Sequence, residues 1–210
     1  MTEMSMNKAI HGAVRRDLDR FVHALSTFHA GDTTRARQLA AAWANFDDQL
    51  TFHHEGEHEI AWPVLEKLGV SPDLIATLDA EHDTMAAALA EARPAMATFT
   101  RTASADDAKS ALVAMERLRD VTVHHLDHEE AEIEDVYLSK RDTPEMKTMG
   151  RAFGRVSPAR GGRFFAWLMD GVSVDQRAAI TKEIPGPVLS VVGGVWGRGY
   201  RKNVAPVWRT

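Results

Sequence analysis

Residues 51–63 read TFHHEGEHEIAWP, and positions 53–59 alone hold three histidines and three glutamates. A second stretch, residues 122–134, reads TVHHLDHEEAEIE and carries nearly the same pattern. Each stretch is either a charged helix face that happens to be rich in histidine or a set of metal ligands. The periodicity of the flanking apolar residues separates the two readings and fixes the fold.

Four segments carry apolar residues three and four apart, the spacing of one helix face. The first runs from about Met6 to His29, with Ile10, Val14, Leu18, Phe21 and Leu25 on its stripe. AGDTT breaks it, and Asp32 or Thr33 can cap the next helix. The second runs from about Arg35 to Leu68, through Leu39, Trp43, Phe46, Leu50, Ile60 and Val64, and stops at Gly69. Ser71-Pro72 opens the third, an N-cap followed by proline at the first helical position. Its stripe is Ile75, Leu78, Met85 and Leu89, and Pro94 should kink or end it. TASADD caps the fourth, which runs to about Ser139 through Leu112, Met115, Leu118, Ile133 and Val136.

Short connections between long amphipathic helices imply antiparallel neighbours. The expected fold is all-α: an up-down-up-down antiparallel four-helix bundle over residues 5–140. After RDTPEM, glycine, arginine and tryptophan become more frequent. Residues 141–210 read as a C-terminal extension of loops and short helices, including one at about 174–183 ended by Pro185. Its Phe164, Phe165, Trp167, Trp196 and Trp208 need burial, so it should pack on the bundle.

The chain has 210 residues, 44% hydrophobic and 26% charged, as expected of a soluble globular protein. A net charge of −5 gives no nucleic-acid footprint. The N-terminal residues lack the apolar core of a signal peptide, and the run PVLSVVGGVWGRGY is too short and glycine-broken to span a bilayer. These features point to a cytoplasmic protein that engages neither membrane nor nucleic acid. The absence of cysteine excludes disulfides and thiolate metal sites.

Continuing the helix-two stripe 39, 43, 46, 50 gives 53, 57, 60 and 64, which puts His53 and Glu57 in the buried seam. The rival pair His54 and His58 continues back to Thr51 and Asp47, which read as a solvated face. On helix four the seam 115, 118, 122 leads to His125 and Glu129, whereas His124 and His128 continue back to Arg117. His11 lies on the stripe of Val14 and Leu18, and His82 between Leu78 and Met85. Counted from the loops, His11 and His53 lie about 20 and 22 residues away, and His82 and His125 about 21 and 22. At a rise of ~1.5 Å per residue the six groups meet at one level of the bundle. Burying four imidazoles and two carboxylates without partners costs ~1–3 kcal/mol per polar group and more per ion. A dinuclear metal centre removes that cost. The donor set, four nitrogens and two bridging carboxylates without thiolate, favours two iron ions with an oxo or hydroxo bridge over zinc or manganese.

His11, HHEGEHEIAWP, Glu81-His82 and HHLDHEEAEI together resemble the hemerythrin-like, HHE cation-binding, domain family. The resemblance spans roughly residues 5–140 and follows the order His…His-x3-Glu…His…His-x3-Glu. The family's proline ten residues after the ligand histidine is met by Pro63, while Asp135 occupies the equivalent place after His125. The resemblance implies a non-haem di-iron site that takes a diatomic or peroxide ligand: oxygen, nitric oxide or peroxide. It implies a role in oxygen transport, sensing, or oxidative and nitrosative stress. The family's oxygen carriers have a second third-helix histidine where this chain has Ala86, and His-x4-Asp on the last helix instead of His-x3-Glu. One histidine fewer leaves a more open iron, which favours metal-centred turnover, such as catalase-like peroxide decomposition or nitric oxide chemistry, over reversible carriage. The alternatives are a redox or oxygen sensor whose extension reports to a protein partner, and a metal-stabilised structural bundle. An electron donor is a further expected partner of the turnover reading. Glu81 reads as an exposed glutamate ahead of its other reading, a hydrogen-bond partner of a ligand imidazole. His54, His58, His124 and His128 read as surface or supporting residues, ahead of the other reading, in which one of them swings in to fill the vacant coordination position.

Overall fold

The computed structural model describes residues 3–209, and among these it is helical with no strand. The four expected segments are α1 (Met6–Ser26); α2 (Thr33–Gly56), a π-helical turn (Glu57–Ala61) and α3 (Trp62–Lys67); α4 (Pro72–Thr102); and α5 (Ala105–Lys140). Polar caps set their starts. Ser5, Asp32, Ser71 and Ser104 accept from the backbone N–H of Lys8, Arg35, Asp73 and Asp107, each satisfying one donor that a first helical turn leaves free. Ser5 also binds Glu134 through its amide and its hydroxyl, which ties the start of α1 to α5. α4 packs on α5, α5 on α1, α2 on α4, and α1 on α2.

Two local features differ from the periodicity. α4 continues through Pro94 to Thr102. The missing N–H and ring clash cost ~3 kcal/mol or more, which the burial of Met96 and Phe99 in the following turns offsets at ~1.5–3 kcal/mol each. In the second segment the turn at Glu57–Ala61 widens, and Trp62 N–H bonds to Glu57 C=O, five residues back. Pro63 supplies the reason. It has no N–H to give to Glu59, and its ring would strike that carbonyl in a regular α-helix. The extra residue rotates everything beyond it. The buried positions are Ala61, Trp62 and Leu65, whereas Ile60 and Val64, expected on the seam, are only partly buried.

The core falls into two apolar clusters. One gathers Leu18, Phe21, Phe46, Leu50, Phe99, Met115 and Leu126; the other gathers Trp62, Leu65, Leu78, Ile133 and Tyr137. Along α2, α4 and α5, a polar layer separates them.

The extension folds as α6 (Pro144–Phe153), α7 (Pro158–Leu168), α8 (Val174–Glu183), α9 (Gly186–Val188), a π turn (Leu189–Gly193), α10 (Gly194–Trp196), α11 (Arg198–Asn203) and a 3-10 turn (Ala205–Trp208). α7 and α8 lie on α1, and α11 and the 3-10 turn lie on α2. Trp167 is fully buried in the larger apolar cluster and donates from Nε1 to the buried Asp17 Oδ2 at 2.8 Å. Arg16 donates to the Asp170 and Trp167 carbonyls, Arg20 to Asp170, and Arg35 to the Val207 carbonyl. Trp208 meets Phe21 edge-on at 5.0 Å. Phe164 and Phe165 are partly buried. Trp196, expected to be covered, stays 44% exposed because α10 lies on α7 with its tryptophan ring turned outward. Two glycines let the extension approach the polar layer. A Cβ at Gly12, beside His11, would stand 1.8 Å from Gln176 Nε2, and one at Gly56, beside Glu57, 2.6 Å from the Phe153 ring.

Candidate metal centre

The six residues singled out by the helix stripes are all buried and lie together in the polar layer. His11 comes from α1, His53 from the last turn of α2, Glu57 from the π turn, His82 from α4, and His125 and Glu129 from α5. Glu57 stands at the centre. Its Oε1 lies 3.3 Å from His53 Nε2 and 3.9 Å from His11 Nε2, and its Oε2 lies 3.4 Å from His82 Nε2. Glu129 Oε2 lies 3.3 Å from His11 Nε2 and 3.6 Å from His125 Nε2. The His82 and His125 Nε2 atoms approach to 3.0 Å. The two carboxylates thus bridge His11 and His53 on one side to His82 and His125 on the other.

Most of these separations lack the direction of a hydrogen bond. His53 Nε2, both oxygens of Glu57 and Glu129 Oε2 are buried without a hydrogen-bond partner. Four buried acceptor atoms left without partners around a common space are what a cation requires and what a neutral core avoids. The residues therefore fit a bound metal. Three groupings satisfy the reach of one ion: His11, His53 and Glu57; Glu57, His125 and Glu129; and His54, Glu57 and His82.

The third grouping corrects the expectation for His54. Its Nε2 is also buried without a partner, and its ring stacks on His82 at 4.6 Å. The stripe through Asp47 and Thr51 is only partly exposed. Arg93 of α4 forks onto the Asp47 carboxylate and reaches Thr51, so this stripe is the α2–α4 contact, and His54 continues it inward. The other three histidines stay outside the cluster. His58 is exposed and paired with Asp79 at 2.8 Å, the His124 side chain is 76% exposed, and His128 binds Glu81.

Glu81 also departs from expectation. Its Oε2 accepts from His125 Nδ1 at 3.0 Å and its Oε1 from His128 Nδ1 at 2.8 Å. On the opposite side Glu130 Oε1 meets His11 Nδ1 at 3.1 Å and Arg15 Nη1 at 2.5 Å. A carboxylate on Nδ1 fixes the tautomer and points the Nε2 lone pair inward, which is how metal-binding imidazoles are usually held. Asn7 Nδ2 donates to Glu129 Oε1 at 2.9 Å and lies 3.2 Å from His11 Nε2. Neither Glu130 nor Asn7 was foreseen. Each sits one residue after or four before an expected ligand, and that spacing was the only signal.

Charge is distributed unevenly. Burial lowers His53 to about 3, with the nearby imidazoles opposing the Glu57 attraction. Burial and His82 lower His125 to about 4. Burial would lower His11 too, but the Glu129 charge, helped by Glu130 and Glu57, holds it well above the usual imidazole value. Burial would raise Glu57, but His53, His11 and His82 hold it well below the usual carboxylate range. Burial and the negative charge of Glu57 raise Glu129. At neutral pH His53 and His125 are therefore neutral donors, the form that binds a metal.

Residues 5–136 match the family described as Hemerythrin HHE cation binding domain. Neither a curated protein nor a solved structure matches the chain.

Proposed function

The chain belongs to the hemerythrin HHE cation-binding family and carries a His/Glu cluster compatible with iron, and from this premise we propose that it is a di-iron protein reacting with oxygen, peroxide or nitric oxide. In this reading α1, the α2–α3 segment, α4 and α5 form the up-down-up-down four-helix bundle of residues 5–140, and residues 141–210 brace it. His11, His53, Glu57, His82, His125 and Glu129 hold the metal. The observation that carries the reading is the set of buried oxygens and nitrogens that face one another without hydrogen bonds. Bound iron would supply a redox couple and coordination positions for a small ligand.

The chain's own residues do the rest. Glu57 and Glu129 reach both halves of the site. Glu130 and Glu81 hold the His11 and His125 rings in place. The apolar clusters on either side exclude bulk water, so small uncharged ligands enter more readily than ions. Beyond the ligand types, the Asn7 amide donates to Glu129 and the buried Tyr137 hydroxyl feels the Glu129 and Glu57 charges; in this reading the chemistry is metal-centred. The partners follow: a diatomic or peroxide ligand and an electron donor, in the cytoplasm. No helix among the described residues is long and apolar enough to cross a membrane.

A second reading, a redox or oxygen sensor without turnover, is supported by Gln176 and Phe153. These extension residues press against Gly12 and Gly56, next to His11 and Glu57, where a shift at the iron would be felt by the extension. The full chain loaded anaerobically with iron(II) separates the readings. Peroxide consumption well above that of free iron at equal concentration supports turnover. Optical changes with oxygen or nitric oxide but no consumption support sensing. No response to any of the three ligands contradicts both.

A further inference from the structure

Six residues account for the ligands expected from the helix stripes, but a seventh group has the same signature. His54 Nε2 is buried and unpartnered, as are His53 Nε2 and the Glu57 oxygens. It lies with Glu57 and His82 in a grouping whose donor atoms are all within 4.8 Å of one another. We propose that His54 is a fifth imidazole ligand of the dinuclear centre, donating through Nε2 on the side of His82 and Glu57; this rests on the di-iron reading above.

The surrounding packing holds the ring in that position. His82 is sandwiched between His54 at 4.6 Å and 29° and Trp62 at 5.5 Å and 21°. The His54 ring also lies against His53 at 5.6 Å and meets His125 edge-on at 6.1 Å. Behind it, the Arg93–Asp47 fork closes the α2–α4 contact toward solvent. A histidine that served only as filler would turn its Nε2 to a carbonyl, a hydroxyl or water, since leaving it buried and unbonded costs ~1–3 kcal/mol.

The arrangement resolves a difficulty with position 86. Ala86 is exposed, so the fifth nitrogen does not come from α4. It comes from α2, where His53 and His54 are adjacent residues serving opposite sides of Glu57. The centre then has two imidazoles, His11 and His53, on one side and three, His54, His82 and His125, on the other. The open position predicted by counting four histidines is filled on the His82 side, and the site is asymmetric.

The test uses the full chain loaded with cobalt(II), whose proton NMR spectrum shows one strongly shifted, solvent-exchangeable N–H signal per coordinated imidazole. Wild type should show five such signals and His54→Ala four, with two cobalt ions per chain in both. Azide affinity should rise at least tenfold in His54→Ala, because a position opens. Four signals in wild type, unchanged in His54→Ala, would overturn the proposal while leaving the dinuclear reading intact. A wild-type chain that binds fewer than two cobalt ions would overturn the dinuclear reading and this proposal with it. Should His54→Ala fold poorly, His54→Gln and the wild-type count still decide, and His124→Ala should keep all five signals.

Discussion

Removing the metal should expose how poorly this core suits an empty site. Five buried atoms in the cluster have no hydrogen-bond partner: His53 Nε2, His54 Nε2, Glu57 Oε1, Glu57 Oε2 and Glu129 Oε2. At ~1–3 kcal/mol for each unsatisfied group, the metal-free protein carries a penalty of about 5–15 kcal/mol. That is comparable to the entire folding stability of a typical domain. An ion present at a thousand times its dissociation constant stabilises the folded state by ~4 kcal/mol. Two ions therefore contribute about 8 kcal/mol. With ~2–4 °C per kcal/mol for a chain of this size, iron loading should raise Tm by roughly 16–32 °C in differential scanning calorimetry. Glu57→Leu provides the converse case. It removes two of the five unpartnered atoms while keeping similar volume, so the metal-free variant should melt no lower than metal-free wild type. Its gain from iron should fall by half or more. An unchanged Tm on loading wild type, or a metal-free Glu57→Leu that melts well below its parent, would refute the reasoning that these oxygens wait for a cation.

Three further outcomes follow from other parts of the molecule. Trp167→Ala should lower stability by ~3–5 kcal/mol in urea unfolding, because the ring is fully buried and its N–H pairs with Asp17; a loss below 1 kcal/mol would mean the extension is only loosely docked. Glu81→Ala should weaken metal affinity by ~10–100-fold in competition with a chelator, because His125 loses its Nδ1 partner, whereas His124→Ala should leave it unchanged. Glu130 is held at about 2, where burial is outweighed by His11 and Arg15. Its pKa is depressed in the folded chain, so its contribution is full above the usual carboxylate range and is lost as pH falls toward 2. Glu130→Gln should therefore flatten the acid limb of metal-free stability between about pH 4.5 and 2, measured as the urea midpoint against pH, and an unchanged limb would count against the Glu130 pairing.

Much of this was legible in the sequence because stripe counting works wherever a helix is regular. His11, His82, His125 and Glu129 fall where the apolar spacing put them, and the caps at Ser71 and Ser104 follow from residue type. Counting failed where tertiary context intervened. Past Glu57, Pro63 widens the turn and moves the seam from Ile60 and Val64 to Ala61 and Leu65. Asp47 and Thr51 looked like a solvated stripe, because one sequence cannot show that Arg93, on another helix, covers them. That single misreading turned His54 outward. Glu81 was misread for a related reason. Its two partners, His125 and His128, lie on α5, more than forty residues away, and nothing local marks a carboxylate that reaches across to them. Pro94 shows the reverse, a strong local signal overridden by the burial of Met96 and Phe99.

Metal content tests the central claim most directly. The full chain, purified and then reconstituted with iron(II), should hold two iron ions per molecule and show near-ultraviolet charge-transfer absorption that changes on adding azide and peroxide. A chain that retains zinc, or binds no metal with His11, His53, Glu57, His82, His125 and Glu129 intact, would contradict it.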